Sequence, residues 1–204
     1  MIRINTNIIL DKIFQAANLY KELLIGRRFL YIFNDTQYIE VLFQRKHFKH
    51  LTGVGTNINA KRFFDMAINR TLARNQIFFD SQHPLDLCIR KLSQFQNITN
   101  IVNGNCFMLK DISTQTKKYK FGTTDLNLTL CIDTVNSNQY IPISLRDEDC
   151  FSKCSDAYIV NYIFSKNTDE KLYNKLLYPT PTEHLDVSSL PQNIVSMLDL
   201  KLFI

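Results

Sequence analysis

The densest chemistry in the chain lies in Arg45-Lys46-His47-Phe48-Lys49-His50-Leu51-Thr52-Gly53, where five of the six residues from 45 to 50 can carry positive charge. The segment follows a β-rich run, and continuing that strand's pitch would send Arg45, His47 and Lys49 to one side and Lys46, Phe48 and His50 to the other. His50 is then expected at the edge of the core, beside Phe48. A partly sheltered imidazole with a fixed tautomer suits proton transfer, although a lone histidine can equally well only hydrogen-bond a loop carbonyl.

Cleaving RNA without a metal needs a base for the 2′-hydroxyl proton, an acid for the leaving 5′-oxygen, and cations for the charge that builds on phosphorus. His50 or His47 could be base or acid. Arg45, Lys46, Lys49, Lys61 and Arg62 could bind backbone phosphates, and the Gly53-Val54-Gly55-Thr56 loop could offer N–H groups ahead of a helix. That loop lacks the Gly-Lys-Ser/Thr of a nucleotide triphosphate site. Asp147-Glu148-Asp149 reads as a solvated turn, His83 as a cap residue beside Pro84, and His184 as a surface residue. Cys150 and Cys154 are spaced CxxxC with no second Cys/His pair nearby, short of the four ligands of structural zinc. No metal or cofactor is expected.

The positive charge is unevenly spread. Residues 1–75 hold twelve Lys/Arg against five Asp/Glu and residues 76–204 twelve against fourteen, which together give the net +5. A basic first third that forms one surface would concentrate phosphates, with RNA as the expected partner. A solvated surface on an ordinary protein would show the same excess. No apolar run reaches the length of a membrane span, and MIRINTNIIL runs into Asp11 and Lys12 without the features of a secretory signal. The five cysteines are odd in number and mostly lie in apolar runs, which fits free thiols in a reducing cytoplasm. No membrane association is expected.

The elements that must position these groups are legible from periodicity. Ile9, Leu10, Ile13, Ala17, Tyr20 and Leu24 predict an amphipathic helix over 8–25 that Gly26 ends. The runs 29–33 and 38–43, joined through Asn34-Asp35, predict a hairpin. Asn59 caps an expected helix over 60–73, and a further helix follows Pro84 with Leu85, Cys88, Ile89, Leu92 and Phe95 on one face. From Cys106 the period turns strand-like at 105–110, 117–122, 126–134, 139–144 and 157–164. Thr168, followed by Asp169 and Glu170, predicts a closing helix. The expected architecture is a single α+β domain over 1–204, with N-terminal helices packed on a curved antiparallel sheet. Its core is 28–178, with the 8–25 helix and the 179–204 tail as additions.

FKHLTGV at 48–54, FFDMAINRTL at 63–72, CIRKLSQF at 88–95, YIPISL at 140–145 and YIVNYIFSK at 158–166 occur in an order that resembles the fourth phage subfamily of the barnase–EndoU–colicin–RelE-like nucleases. The resemblance covers roughly residues 28–178, and its most specific piece is His50-Leu51-Thr52-Gly53. It implies helices on a four- or five-stranded antiparallel sheet and a metal-independent endoribonuclease of a phage or mobile element, acting as a toxin. It carries His50, Thr52, Lys91 and Ser144 over as candidate catalytic residues, and Tyr173 in the closing helix as a weaker one. An antitoxin or a host defence protein would be the corresponding protein partner. A non-catalytic anti-defence inhibitor that uses the same basic face is the competing reading.

Overall fold

A computed structural model describes residues 6–136, 139–179 and 190–202. Helix α1 (Thr6–Leu23) is followed by Gly26, whose φ of +77° turns the chain into strand β1 (Arg27–Phe33). β1 pairs antiparallel with β2 (Gln37–Leu42) across Asn34 and Asp35, both at positive φ, as the tightest hairpin connections require. Helices α2 (Arg45–Thr52), α3 (Ala60–Ile68), α4 (Leu85–Gln94) and α5 (Asn100–Asn103) come next. The Asn59 side chain accepts from the Lys61 N–H, so the expected cap of α3 is present. Strands β3 (Phe107–Ser113), β4 (Lys118–Thr124), β5 (Thr129–Asn136) and β6 (Gln139–Arg146) form the meander. Long β7 (Asp156–Asn167), short β8 (Lys175–Tyr178) and α6 (Gln192–Val195) complete the order.

The sheet is closed, which overturns the expectation of helices on an open curved sheet. Its strands run β1-β2-β6-β5-β4-β3-β7, and β7 pairs back onto β1 from Arg27↔Asn167 to Phe33↔Val160; β8 adds an eighth strand on β7. The β2–β6 link is parallel, so this seven-stranded barrel is mixed. Closure comes from the length of β7: its first residues pair with β3 and its later ones with β1. Both faces of β1 are consequently covered. Phe29, Tyr31 and Phe33 join the main core, while Leu30 and Ile32 join a second cluster with Phe164, Tyr173, Leu190, Ile194 and Leu198.

Two local expectations also fail. Residues 45–52 are a helix, not a strand: the buried positions Phe48, Leu51 and Thr52 recur at three and four residues and Gly53 (φ +72°) gives a left-handed stop. The expected closing helix after Thr168 is absent. The Thr168 N–H donates to the Gly26 carbonyl (2.9 Å), the Glu170 carboxylate accepts from the Asn167 N–H (2.7 Å), and the chain turns into β8. Glu170 therefore caps a turn.

The main core ties the helices to the barrel through aromatic rings. Phe48 of α2 lies within 6.0 Å, centroid to centroid, of Tyr20, Phe63, Phe64 and Phe95, so α1, α3 and the end of α4 all pack on α2. Each such pair contributes about 0.5–1.5 kcal/mol beyond its buried area. The orientation of α2, which carries the candidate chemistry, is fixed by this cluster.

Candidate active site

The C-terminal end of α2 meets α4 and β6 at one edge of the barrel. Gly53 permits the approach: a Cβ there would lie 3.0 Å from the Lys91 side chain and 3.8 Å from the Cys88 backbone. Lys91, on the inner face of α4, is only 9% exposed, and its ammonium donates to the Ser144 hydroxyl of β6 at 3.3 Å. Burial first, then the charge of Arg146, lowers the Lys91 pKa. Three of the expected catalytic residues, His50, Lys91 and Ser144, are thus brought to one region.

His50 is exposed on the outer turn of α2. Packing of part of its ring, and then the charges of Lys49, Lys117 and Lys91, hold its pKa below the ordinary histidine value. Burial and these cations together disfavour the protonated ring. The spread of those cations is informative, because Lys49 belongs to α2, Lys117 to the β3–β4 turn and Lys91 to α4.

Beside them, β4 and β6 add groups that sequence reasoning did not single out. Tyr119 faces Ser144 and Arg146, both of which act on its hydroxyl, and Lys117 lies over the Tyr119 ring at 5.4 Å. Arg146, two residues after Ser144 on β6, donates from Nε to Glu148, which also accepts from Lys153. Burial pushes the Glu148 carboxyl up, but these two hydrogen bonds outweigh it and hold the pKa low. A cleft of about 510 Å³ opens over this network, lined by Arg90, Lys91, Thr116, Arg146, Glu148 and Lys153 among others. Glu148, expected in a solvated turn, instead fixes two cations at the cleft wall.

Other candidates have structural uses. The buried Thr52 hydroxyl donates to the Lys49 carbonyl (2.7 Å) and accepts from the Val54 N–H, so it closes the end of α2. His47, 4% exposed, accepts the Gln44 N–H at Nδ1 (3.2 Å) and thereby caps the start of α2; its pKa is pushed down to about 4 by burial and by Lys46 and His50. Lys49 donates to the Thr56 carbonyl, Thr56 donates to the Gln76 carbonyl, and Gly55 accepts from Phe78. The glycine loop is packed into the protein and is no open phosphate cradle. Tyr173 donates to Glu40 (2.6 Å) beneath Lys166, in the second hydrophobic cluster rather than at the cleft. His83 pairs with Asp80, and His184 lies outside the described residues.

The remaining basic residues form a separate group. Arg45, Lys46 and Lys61 line a second cavity, of about 600 Å³, together with Arg28, Gln44 and Thr168; Arg62 is exposed on α3. Among the described residues no group of three or more His, Cys, Asp or Glu side chains is placed to hold a metal. The five cysteines are free, and Cys150 and Cys154 pack in a third hydrophobic cluster with Phe107 and Phe151.

The nearly buried Lys91 ammonium and the carboxylate-anchored Arg146 guanidinium line one cleft, and the His50 imidazole is near enough to feel the Lys91 charge. Residues 12–180 match the family described as phage-Barnase-EndoU-ColicinE5/D-RelE like nuclease4, and the chain belongs to that family, whose type is the barnase–EndoU–colicin–RelE nuclease. No curated protein matches the chain. No solved structure matches it either. No helix among the described residues is long and apolar enough to cross a membrane.

Proposed function

We propose that the protein is a metal-independent endoribonuclease that acts as a toxin of a phage or mobile element. The observation that carries the reading is that Lys91 and Arg146 line one cleft, with Ser144 hydrogen-bonded to Lys91 and His50 near enough for the Lys91 charge to help lower its pKa. Neutral His50 takes the 2′-hydroxyl proton, and the 2′-oxygen attacks the adjacent phosphorus. Lys91 and Arg146 face the charge that develops on the phosphoryl oxygens. The P–O5′ bond breaks as the Lys91 ammonium, made more acidic by burial and by Arg146, gives its proton to the 5′-oxygen. The products are a 2′,3′-cyclic phosphate and a 5′-hydroxyl, and water returns both side chains to their starting protonation.

Ser144 positions Lys91, and Glu148 holds Arg146 from behind. Thr52 is a positioning residue that keeps the end of α2, and therefore His50, in place. The test is incubation of the purified chain with tRNA and mRNA in EDTA. Cleavage that His50→Ala reduces by about 10²–10⁴-fold supports the reading. Absence of cleavage, or cleavage undiminished in His50→Ala, refutes it.

A further inference from the structure

The second cavity lies against the first turn of α2, among the end of α1, β1, β2 and the start of α3. Four cations line it: Arg28, Arg45, Lys46 and Lys61. No carboxylate is among its lining residues. Arg28 and Arg45 are partly compensated by Glu40 (3.9 Å) and Asp65 (3.2 Å), whereas Lys46 and Lys61 have no ion pair among the described residues. Gln44 and Thr168 add neutral hydrogen-bonding groups to the wall, and the buried Leu42 and Phe43 lie behind it. A hollow with two unpaired lysines, two partly compensated arginines and polar walls suits a polyanion rather than an apolar or cationic ligand.

Its place relative to the cleft is set by α2. Lys46 and His50 are four residues apart on this helix, hence on one face and about 6 Å apart along the axis. That face is exposed at both residues, so a chain seated at His50 can pass over it to Lys46 and into the hollow.

We infer that this hollow binds the phosphodiester backbone flanking the scissile bond, so that the substrate is an RNA single strand running over several nucleotides from the cleft to the hollow. The inference rests on the endoribonuclease reading for its substrate class, but it makes a binding claim of its own. A single strand fits because attack by the 2′-hydroxyl in line with the 5′-oxygen requires a nucleotide released from A-form stacking. The cations of the hollow touch phosphates and carry no base selectivity.

The experiment measures binding of 2′-O-methyl oligoribonucleotides, which lack the attacking hydroxyl, to the full chain by fluorescence anisotropy over a range of salt. Oligomers of two, four and eight nucleotides and an eight-base-pair duplex are compared for the wild type, for Lys46→Gln/Lys61→Gln, and for Lys201→Ala, a control at an exposed position away from both cavities. Affinity is expected to rise with single-strand length and to exceed that for the duplex. The double variant is expected to lose that gain. Its plot of log affinity against log salt should be shallower by about 1.4, at roughly 0.7 for each phosphate no longer neutralised. Lys201→Ala should match the wild type. A double variant with the wild-type slope and length dependence overturns the inference, as does equal affinity for the duplex. If the wild type binds as expected yet cuts no RNA, the nuclease reading fails and the backbone groove stands. If RNA is cut but the slopes coincide, only the groove fails.

Discussion

Lys91 offers the sharpest separation of function from stability. Its side chain is 9% exposed, its ammonium makes one hydrogen bond, to the neutral Ser144 hydroxyl, and the charge that most perturbs it is that of Arg146, of the same sign. Such a group opposes folding: replacing buried charges by apolar residues of similar volume is often stabilising, by about 1–4 kcal/mol. Lys91→Met keeps the length of the chain and its packing on Gly53 but removes the charge. The hydrogen bond to Ser144 is lost, at about 1 kcal/mol. The net expectation is a gain of about 1–2 kcal/mol. With a urea m-value of about 2 kcal/mol/M, the unfolding midpoint should rise by roughly 0.5–1 M at unchanged m. RNA cleavage should fall about 10²–10³-fold or more, the usual loss for one stabiliser of transition-state charge. A variant less stable by about 2 kcal/mol, or one that still cleaves at the wild-type rate, would refute the reasoning, because Lys91 would then serve the fold.

Further outcomes follow from other parts of the structure. Gly53→Ala should destabilise by about 1–2 kcal/mol through its left-handed φ of +72° and displace the Lys91 stem, lowering cleavage as well as the thermal midpoint. Tyr173→Phe should cost about 1–2 kcal/mol by stripping Glu40 of its 2.6 Å hydrogen bond, as read by urea unfolding, while cleavage is unchanged. His47 binds its proton more readily unfolded than folded, since burial pushes its native pKa from 6.5 down to about 4. Stability should therefore fall as pH drops from about 6.5 to 4, by on the order of 3 kcal/mol from this residue, and His47→Gln should flatten that slope in unfolding curves. For His50 the neutral form is the active one, so kcat/KM should decline on acidification with a midpoint below the ordinary histidine value, as a pH–rate profile would show.

Local pattern carried much of the fold. The apolar spacing of α1, the Asn34-Asp35 turn, the Asn59 cap and the strand-like periods of β3 to β7 appear where the sequence places them. Barrel closure was not legible as pairing, because β1 and β7 are some 130 residues apart in sequence, as Arg27↔Asn167 to Phe33↔Val160 shows. A signal did exist: Phe29-Leu30-Tyr31-Ile32-Phe33 is apolar without alternation, as befits a strand covered on both faces. The error at 45–52 came from extending a period of two through residues whose buried positions, Phe48, Leu51 and Thr52, repeat at three and four. At the site, His50, Lys91 and Ser144 came from short motifs. Arg146, Tyr119, Lys117 and Glu148 were missed because only the register of β4 against β5 and of β5 against β6 brings them to Lys91. Arg146 lay one residue beyond the motif that supplied Ser144, two along the same strand, where period-two reasoning could have found it.

The chemistry of the cut ends tests the central claim most directly. A 5′-labelled RNA single strand, incubated with the wild-type protein in EDTA and resolved by mass spectrometry, should yield 2′,3′-cyclic phosphate and 5′-hydroxyl termini. The same RNA carrying 2′-O-methyl groups should stay intact. Products ending in 5′-phosphate, or scission of the methylated strand, would show that water or another nucleophile attacks phosphorus and would contradict a base at His50 acting on the 2′-hydroxyl.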